Sequence, residues 1–180
     1  MLELKKTLST IATLVFILLI VAWHVVGSYG GIRMTSDAIE NRWEALENRL
    51  KERNVLVLDF FESVRGDAIY HNEFWEDVLE GLHKIELARN IGEKMEANQE
   101  FSAALRLYMD VLENCPELKE EESFLRFKYE LIRRELGIGI PAHHFNEAVT
   151  TLNTMINSPA GMIGVFMTNA REMPLFLTDN

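Results

Sequence analysis

The chain has 180 residues and carries 18 basic against 28 acidic side chains, a net charge of −10. Apolar residues make up 48% and charged residues 26%, a balance that suits one packed domain and is too apolar for a disordered chain. A single cysteine excludes an internal disulfide framework, a structural zinc cage and an iron–sulfur site, and the acidic balance argues against nucleic acid as a partner.

The first 30 residues differ from the rest. Lys5 and Lys6 against Glu3 leave them at +1, so the other 150 carry −11. The run 8–26 contains no charge, and only Ser9, Thr10, Thr13 and His24 interrupt it with polar groups. Nineteen helical residues rise about 28 Å, close to the ~30 Å hydrocarbon core of a bilayer. Leu8, Ile11, Leu14, Phe16, Leu18, Ile20, Val21 and Val26 make the run apolar on all faces. Its hydroxyls lie in the first turns, where they can bond back to helix carbonyls, and Trp23, His24 and Tyr29 cluster at the far end, where amphipathic rings favour the membrane interface. A signal peptide with 11–22 as its apolar core is the competing reading. The residues that follow offer Val-x-Gly rather than Ala-x-Ala, and the run is long for such a peptide. A buried core helix is the third reading, with little reason to occur in so small a domain. The expectation is an uncleaved anchor. Lys5 and Lys6 precede it and only Arg33 lies in the 15 residues after Val26. The positive-inside rule then puts the N-terminus in the cytoplasm and the acidic bulk outside the inner membrane.

Gly27, Gly30 and Gly31 follow the anchor and predict a bend or hinge. Ser36 or Asp37 is then expected to cap a new helix carrying Ile39, Trp43, Leu46, Leu50, Val57, Phe60, Phe61 and Val64, mostly in steps of three or four. Asn72 is expected to cap a second helix with Phe74, Val78, Leu82, Ile85 and Ala88. Asn98 is expected to start a third with Phe101, Leu105, Tyr108 and Leu112, which Pro116 stops. That third stretch and Pro116 are similar to one helix of a tetratricopeptide unit, but no second copy at about 34 residues accompanies it.

A fourth helix, about 120–136, carries Phe124, Phe127, Leu131 and Leu136. Gly137, Gly139 and Pro141 interrupt it and form a candidate hinge. A fifth stretch with Phe145, Val149, Leu152 and Ile156 either stands alone or continues the fourth through a kink, and Ser158-Pro159 ends it. No segment alternates with period two. The fold class is therefore all-α: an N-terminal transmembrane helix followed by helices of 15 to 30 residues joined by short links, which favour an antiparallel bundle. Residues 1–30 form the cytoplasmic stub and anchor, 31–159 the bundle, and 160–180 an apolar tail. That tail, with Met162, Ile163, Val165, Phe166, Met167, Met173, Leu175 and Phe176, is expected either to pack on the bundle or to contact a partner or the bilayer surface.

No catalytic spacing is present: there is no G-x-S-x-G, Walker A, H-E-x-x-H or G-x-G-x-x-G pattern. Acidic neighbours of Cys115 are expected to raise its thiol pKa. His143 and His144 diverge by about 100° on a helix, so one metal does not easily take both. Neither an enzyme nor a cofactor is expected. Glu117, Glu120, Glu121 and Glu122 have two readings: favourable contact with a helix N-terminus, or a docking surface for a basic partner.

Three blocks together resemble the LemA family. They are Trp43-Glu-Ala-Leu46 with 49–53, Val64-Arg65-Gly66 and His71; Pro116-Glu-Leu118-Lys119 with 122–127 and Glu130-Leu131; and 145–149 with Asn153 and Pro159. Two stretches depart from the family pattern. Residues 55–60 lack its proline, and 136–145 have Gly and Pro in place of basic residues, which marks a divergent member. The resemblance implies an antiparallel up-and-down four-helix bundle on a membrane anchor, with no established reaction and with protein partners in the envelope, a membrane zinc metalloprotease among them. The expected function is a non-enzymatic scaffold or adaptor of the bacterial envelope. The alternative is a sensory or ligand-binding ectodomain signalling through the span. The sequence does not fix an oligomeric state.

Overall fold

The computed structural model describes residues 2–71, 73–159 and 161–177. Among the described residues five helices form: α1 (Leu2–Val64), α2 (Trp75–Leu87), α3 (Ile91–Glu113), α4 (Glu122–Ile156) and α5 (Gly161–Thr168), with single 3-10 turns at Ala68–Tyr70 and Pro116–Leu118. No strand occurs among the described residues. The chain divides into two compact units. One comprises the described residues of Met1–Glu40 and Glu147–Met173, the other those of Asn41–Asn146 and Pro174–Asn180.

The second unit is the bundle, and its pairings fix the helix order. Glu47 meets Lys94, and Arg53 meets Ser102, so α1 and α3 run parallel. Trp43 meets Phe145, Arg53 meets Glu135 and Phe60 stacks on Phe127, so α1 and α4 run antiparallel. Lys84 bonds Glu100 while Trp75 meets Tyr108, which sets α2 antiparallel to α3. The order is up, down, up, down, as the short links favoured and the family resemblance implied. The core is rich in aromatic rings. Phe60 and Phe127 stack at 3.8 Å, Phe61 and Trp75 at 4.1 Å, and Tyr108 lies 4.9 Å from Phe61. Gly81 lets α2 approach α3 closely: a Cβ there would stand 3.0 Å from the Phe101 Cα and 3.1 Å from its Cβ.

In the first unit, the described side chains of 8–26 are exposed, and an 18-residue window of α1 reaches a mean hydropathy of 2.3. Thr10 and Thr13 donate to the carbonyls of Lys6 and Ser9, both at 2.9 Å, as their positions suggested. Such a helix is long and apolar enough to cross a bilayer.

Several expected boundaries are corrected. Gly27, Gly30 and Gly31 do not break α1, because no glycine among the described residues takes a positive φ and helical glycine costs only about 1 kcal/mol each. Neither Ser36 nor Asp37 starts a new helix, since α1 runs through both, and the Ser36 hydroxyl donates back to the Ile32 carbonyl at 2.9 Å. Asn72 lies outside the described residues, and α2 is preceded by Phe74 without a side-chain cap. α3 starts at Asn90 rather than Asn98. Asn90 Oδ1 accepts from the Glu93 amide at 3.0 Å, while Glu93 accepts in return from Asn90 Nδ2 at 2.6 Å and from the Arg89 amide at 2.8 Å, a variant of the Asn-x-x-Glu capping box. Asn98 is buried inside that helix.

α4 also runs unbroken through Gly137, Gly139 and Pro141, so the fourth and fifth stretches are one helix. The ring of Pro141 opposes the carbonyl four residues back, which belongs to Gly137, the residue type that gives way most easily. In the tail, Ala160 and the side chain of Ile163 lie outside the described residues. Ser158 opens α5 by accepting from the Gly161 amide at 2.9 Å. The chain then extends as a strap. Asn153 exchanges two bonds with the backbone of Met173 (2.8 and 3.1 Å), and Asn146 does the same with Phe176 (both 2.8 Å).

Candidate docking surface

The apolar face of α1 in the bundle runs through positions 46, 50, 53, 57 and 60, and an arginine holds the third. Arg53 is 2% exposed. Its guanidinium donates to Ser102 Oγ at 2.8 Å and, at 3.2 Å each, to Asn54 Oδ1, Asn98 Oδ1 and Glu135 Oε1. It also lies 4.8 Å from the centre of the Phe101 ring. A buried cation is costly unless paired and fully bonded, and here α1, α3 and α4 all supply acceptors. The planar fork of arginine suits several acceptors in fixed directions, which ties three helices into one register.

Arg53, Asn98, Ser102 and Glu135 also line a groove of about 630 Å³ between α3 and α4. Leu105, Met109, Leu131, Ile132 and Leu136 form its apolar walls, with Phe176 and Leu177 of the strap beside them. The groove leads onto an outward stripe of α4: Leu125, Tyr129, Ile132, Leu136 and Ile140, all exposed, in steps of four, three, four and four. This spacing places large apolar side chains on one helix face, as in the seam of a helix pair. Leu136 was expected on the buried face with Phe124, Phe127 and Leu131. It is 77% exposed, because the buried set continues instead to Ile138, Ala142 and Phe145. A second groove, of about 560 Å³, lies between α1 and α2, with Leu50, Val55, Leu58, Leu79, Leu82 and Ile85 along it and Glu47 at its rim. Burial pushes the Glu47 carboxyl up, but bonds from Lys94 (2.7 Å) and Lys51 (3.0 Å) outweigh this and hold it below the usual carboxylate range.

The acidic residues at the start of α4 divide by role. Glu121 accepts from the Ser123 hydroxyl, from the Tyr70 hydroxyl at 2.7 Å and from the Phe124 amide at 2.8 Å, and these bonds hold its carboxyl down to about 2. Burial, then the bond to Glu121, pushes the Tyr70 phenol up to about 12. Glu121 is thus the cap that joins α4 to the 3-10 turn at Tyr70. Glu117 accepts from Cys115 Sγ at 3.1 Å, which, with burial, raises the thiol pKa as the acidic neighbours suggested. Glu120 and Glu122 face solvent. His143 and His144 are both exposed, and among the described residues no group of three or more His, Cys, Asp and Glu is placed to hold a metal. Leu8, Ile11, Leu14, Phe16, Leu18, Ile20, Val21 and Val26 all expose their side chains along α1.

The LemA family model matches residues 42–180, most of the chain. This protein belongs to the LemA family. No curated protein matches it. LemA is not a known enzyme family. The LemA-like blocks resolve into packing and clamping parts. Trp43 is buried, donates its indole N–H to Glu47 at 3.0 Å and sets its ring edge against Phe145, with the centroids 5.5 Å apart. Leu118, Phe124, Phe127 and Leu131 are core residues. Asn146 and Asn153 are the two amides that hold the strap. The outer α4 stripe went unnoticed in the sequence because it is offset by one or two residues from the core set and reads as part of one broad apolar face.

Proposed function

We propose that this LemA protein is a non-enzymatic scaffold or adaptor of the bacterial envelope, held in the inner membrane by α1 with its N-terminus in the cytoplasm and its bundle outside. The apolar run 8–26 supports the anchor, and the two lysines before it support the orientation. The observation that carries the scaffold reading is the unpartnered stripe Leu125–Tyr129–Ile132–Leu136–Ile140, which matches what a helical partner needs for side-by-side packing. Partners are envelope proteins, and a membrane zinc metalloprotease is the class to test first. Glu120 and Glu122 add an acidic edge for basic groups on such a partner. The test places a photo-crosslinking residue at Leu136 in the full chain and irradiates native membranes. A discrete adduct that disappears with Ile132→Glu is expected. Crosslinking no stronger than at the exposed polar position Glu44 would refute the docking role.

The alternative, a ligand-sensing ectodomain, rests on Pro141, which denies α4 one backbone bond at the Gly137 carbonyl and makes 137–141 the candidate movable element. Under that reading a metal or metabolite raises the melting temperature of the purified protein, and Pro141→Ala removes the response. A flat screen eliminates it.

A further inference from the structure

Among the described side chains of α5, the two glycines lie inside and the largest apolar groups lie outside. Gly161 and Gly164 are buried against the rest of the first unit, whereas Met162, Phe166 and Met167 point outward, Phe166 at 88% exposure. A Cβ on Gly164 would stand 2.8 Å from Ile32 Cδ1 and 2.9 Å from Ser28 Oγ, so α5 lies directly on α1. A helix at the surface of a water-soluble domain does the reverse, with large apolar groups inward and polar ones outward. Gly161–Thr168 contains no charged residue at all. Something apolar is needed to cover this face.

Its position says what that is. Ser28 and Ile32 follow Val26, the last residue of the apolar run, by two and six positions, a rise of about 3–9 Å along the helix axis. The interfacial layer outside the hydrocarbon core is roughly 5–8 Å thick on each side. The described side chains of 8–27 are exposed, and partial burial begins at Ser28, so the covering of α1 by protein starts where its apolar run stops. The turn that leads into α5 sits at the same level: Ser158 and Met155 share a cleft of about 310 Å³ with Trp23, His24, Gly27, Ser28 and Gly31.

We infer that α5 is a second membrane contact, its Met162, Phe166 and Met167 side chains seated in the lipid interface beside the span. This inference rests on the reading of 8–26 as a bilayer anchor and continues that lipid-facing surface onto a neighbouring helix. A lone span can rotate about its own axis; an apolar helix fixed to one side of it by Gly164 sets which side of α1 faces the bilayer surface.

The test uses the full chain with Cys115→Ser, reconstituted in vesicles of phosphatidylethanolamine and phosphatidylglycerol. Single cysteines replace Leu14, Met162, Phe166 and Glu44 in turn and carry a nitroxide. The readout is the ratio of collision rates with oxygen, which favours lipid, and with a neutral nickel chelate, which favours water. The expected ratio is highest at Leu14, and at Met162 and Phe166 at least threefold above that at Glu44. Ratios at Met162 and Phe166 equal to that at Glu44, with Leu14 still high, overturn the inference and leave the anchor standing. Labels at 162 and 166 shielded from both reagents also overturn it, since a protein surface then covers α5. A ratio at Leu14 equal to that at Glu44 removes the anchor and this inference with it.

Discussion

Replacing Arg53 is the most informative perturbation of the bundle. In Arg53→Ala the stem leaves a cavity in the core and the acceptors of Asn54 and Asn98 lose their donor while both residues remain buried. Glu135, at 44% exposure, regains water when its partner is gone. Removing one member of a buried ionic network costs about 3–5 kcal/mol. Glu135→Gln is a different case, because the guanidinium keeps Ser102, Asn54 and Asn98 and the lost charge is half solvated, so its cost is near 1 kcal/mol. The assay is urea unfolding of the full chain in mild detergent, followed by helical circular dichroism. With a slope of about 2 kcal/mol per molar, Arg53→Ala lowers the midpoint by about 2 M and Glu135→Gln by about 0.5 M. Equal shifts for the two variants, or an Arg53→Ala midpoint within about 0.3 M of the parent, would refute the claim that the arginine organises three helices.

Other consequences are as direct. Glu121 has its pKa lowered from an ordinary 4.5 to about 2. Its contribution is therefore complete above pH 4.5 and lost as the pH falls towards 2, and Glu121→Gln is expected to flatten acid unfolding across that window. Gly139→Ala places a methyl in open space on a helix and is expected to raise stability by about 0.5–1 kcal/mol, while Gly81→Val forces α2 off α3 and lowers it by about 1–3 kcal/mol; thermal melts of both variants check the two signs. Cys115, bonded to Glu117, is expected to react with maleimide at pH 7 more slowly than the same thiol in Glu117→Gln, measured as a labelling rate in detergent.

The helix class was legible in the sequence because a face of apolar side chains in steps of three and four has one physical meaning, and the short links between helices favoured antiparallel neighbours. The Trp43–Val64 face and the Phe124–Phe127–Leu131 face both pack as that spacing requires. Helix ends were less legible. Asn90 and Asn98 are both plausible caps in a string of letters, and only the reciprocal bond from Glu93 distinguishes them. Glycines at 27–31 and 137–139 looked like breaks, yet each costs a helix only about 1 kcal/mol, and a long helix absorbs a few such residues. The same limit hid Arg53, which looks like surface charge beside Arg49 and Lys51 unless its place in the 46–50–53–57 series is counted. The strap was invisible for another reason. Its anchors, Asn146 and Asn153, act through side-chain bonds to backbone more than 19 residues away, and no local pattern encodes such a partner.

The measurement that tests the central claim most directly is the membrane topology of the bundle. In the Cys115→Ser background, Glu44→Cys puts a single thiol on an exposed site of α1 in the bundle. Cells are fractionated after labelling with a membrane-impermeant maleimide, applied intact, with the outer barrier opened, or fully lysed. The account predicts full-length protein in the inner-membrane fraction, labelled before that membrane is opened. Labelling only after lysis would put the bundle in the cytoplasm, and full-length protein in the soluble fraction would contradict the anchor itself.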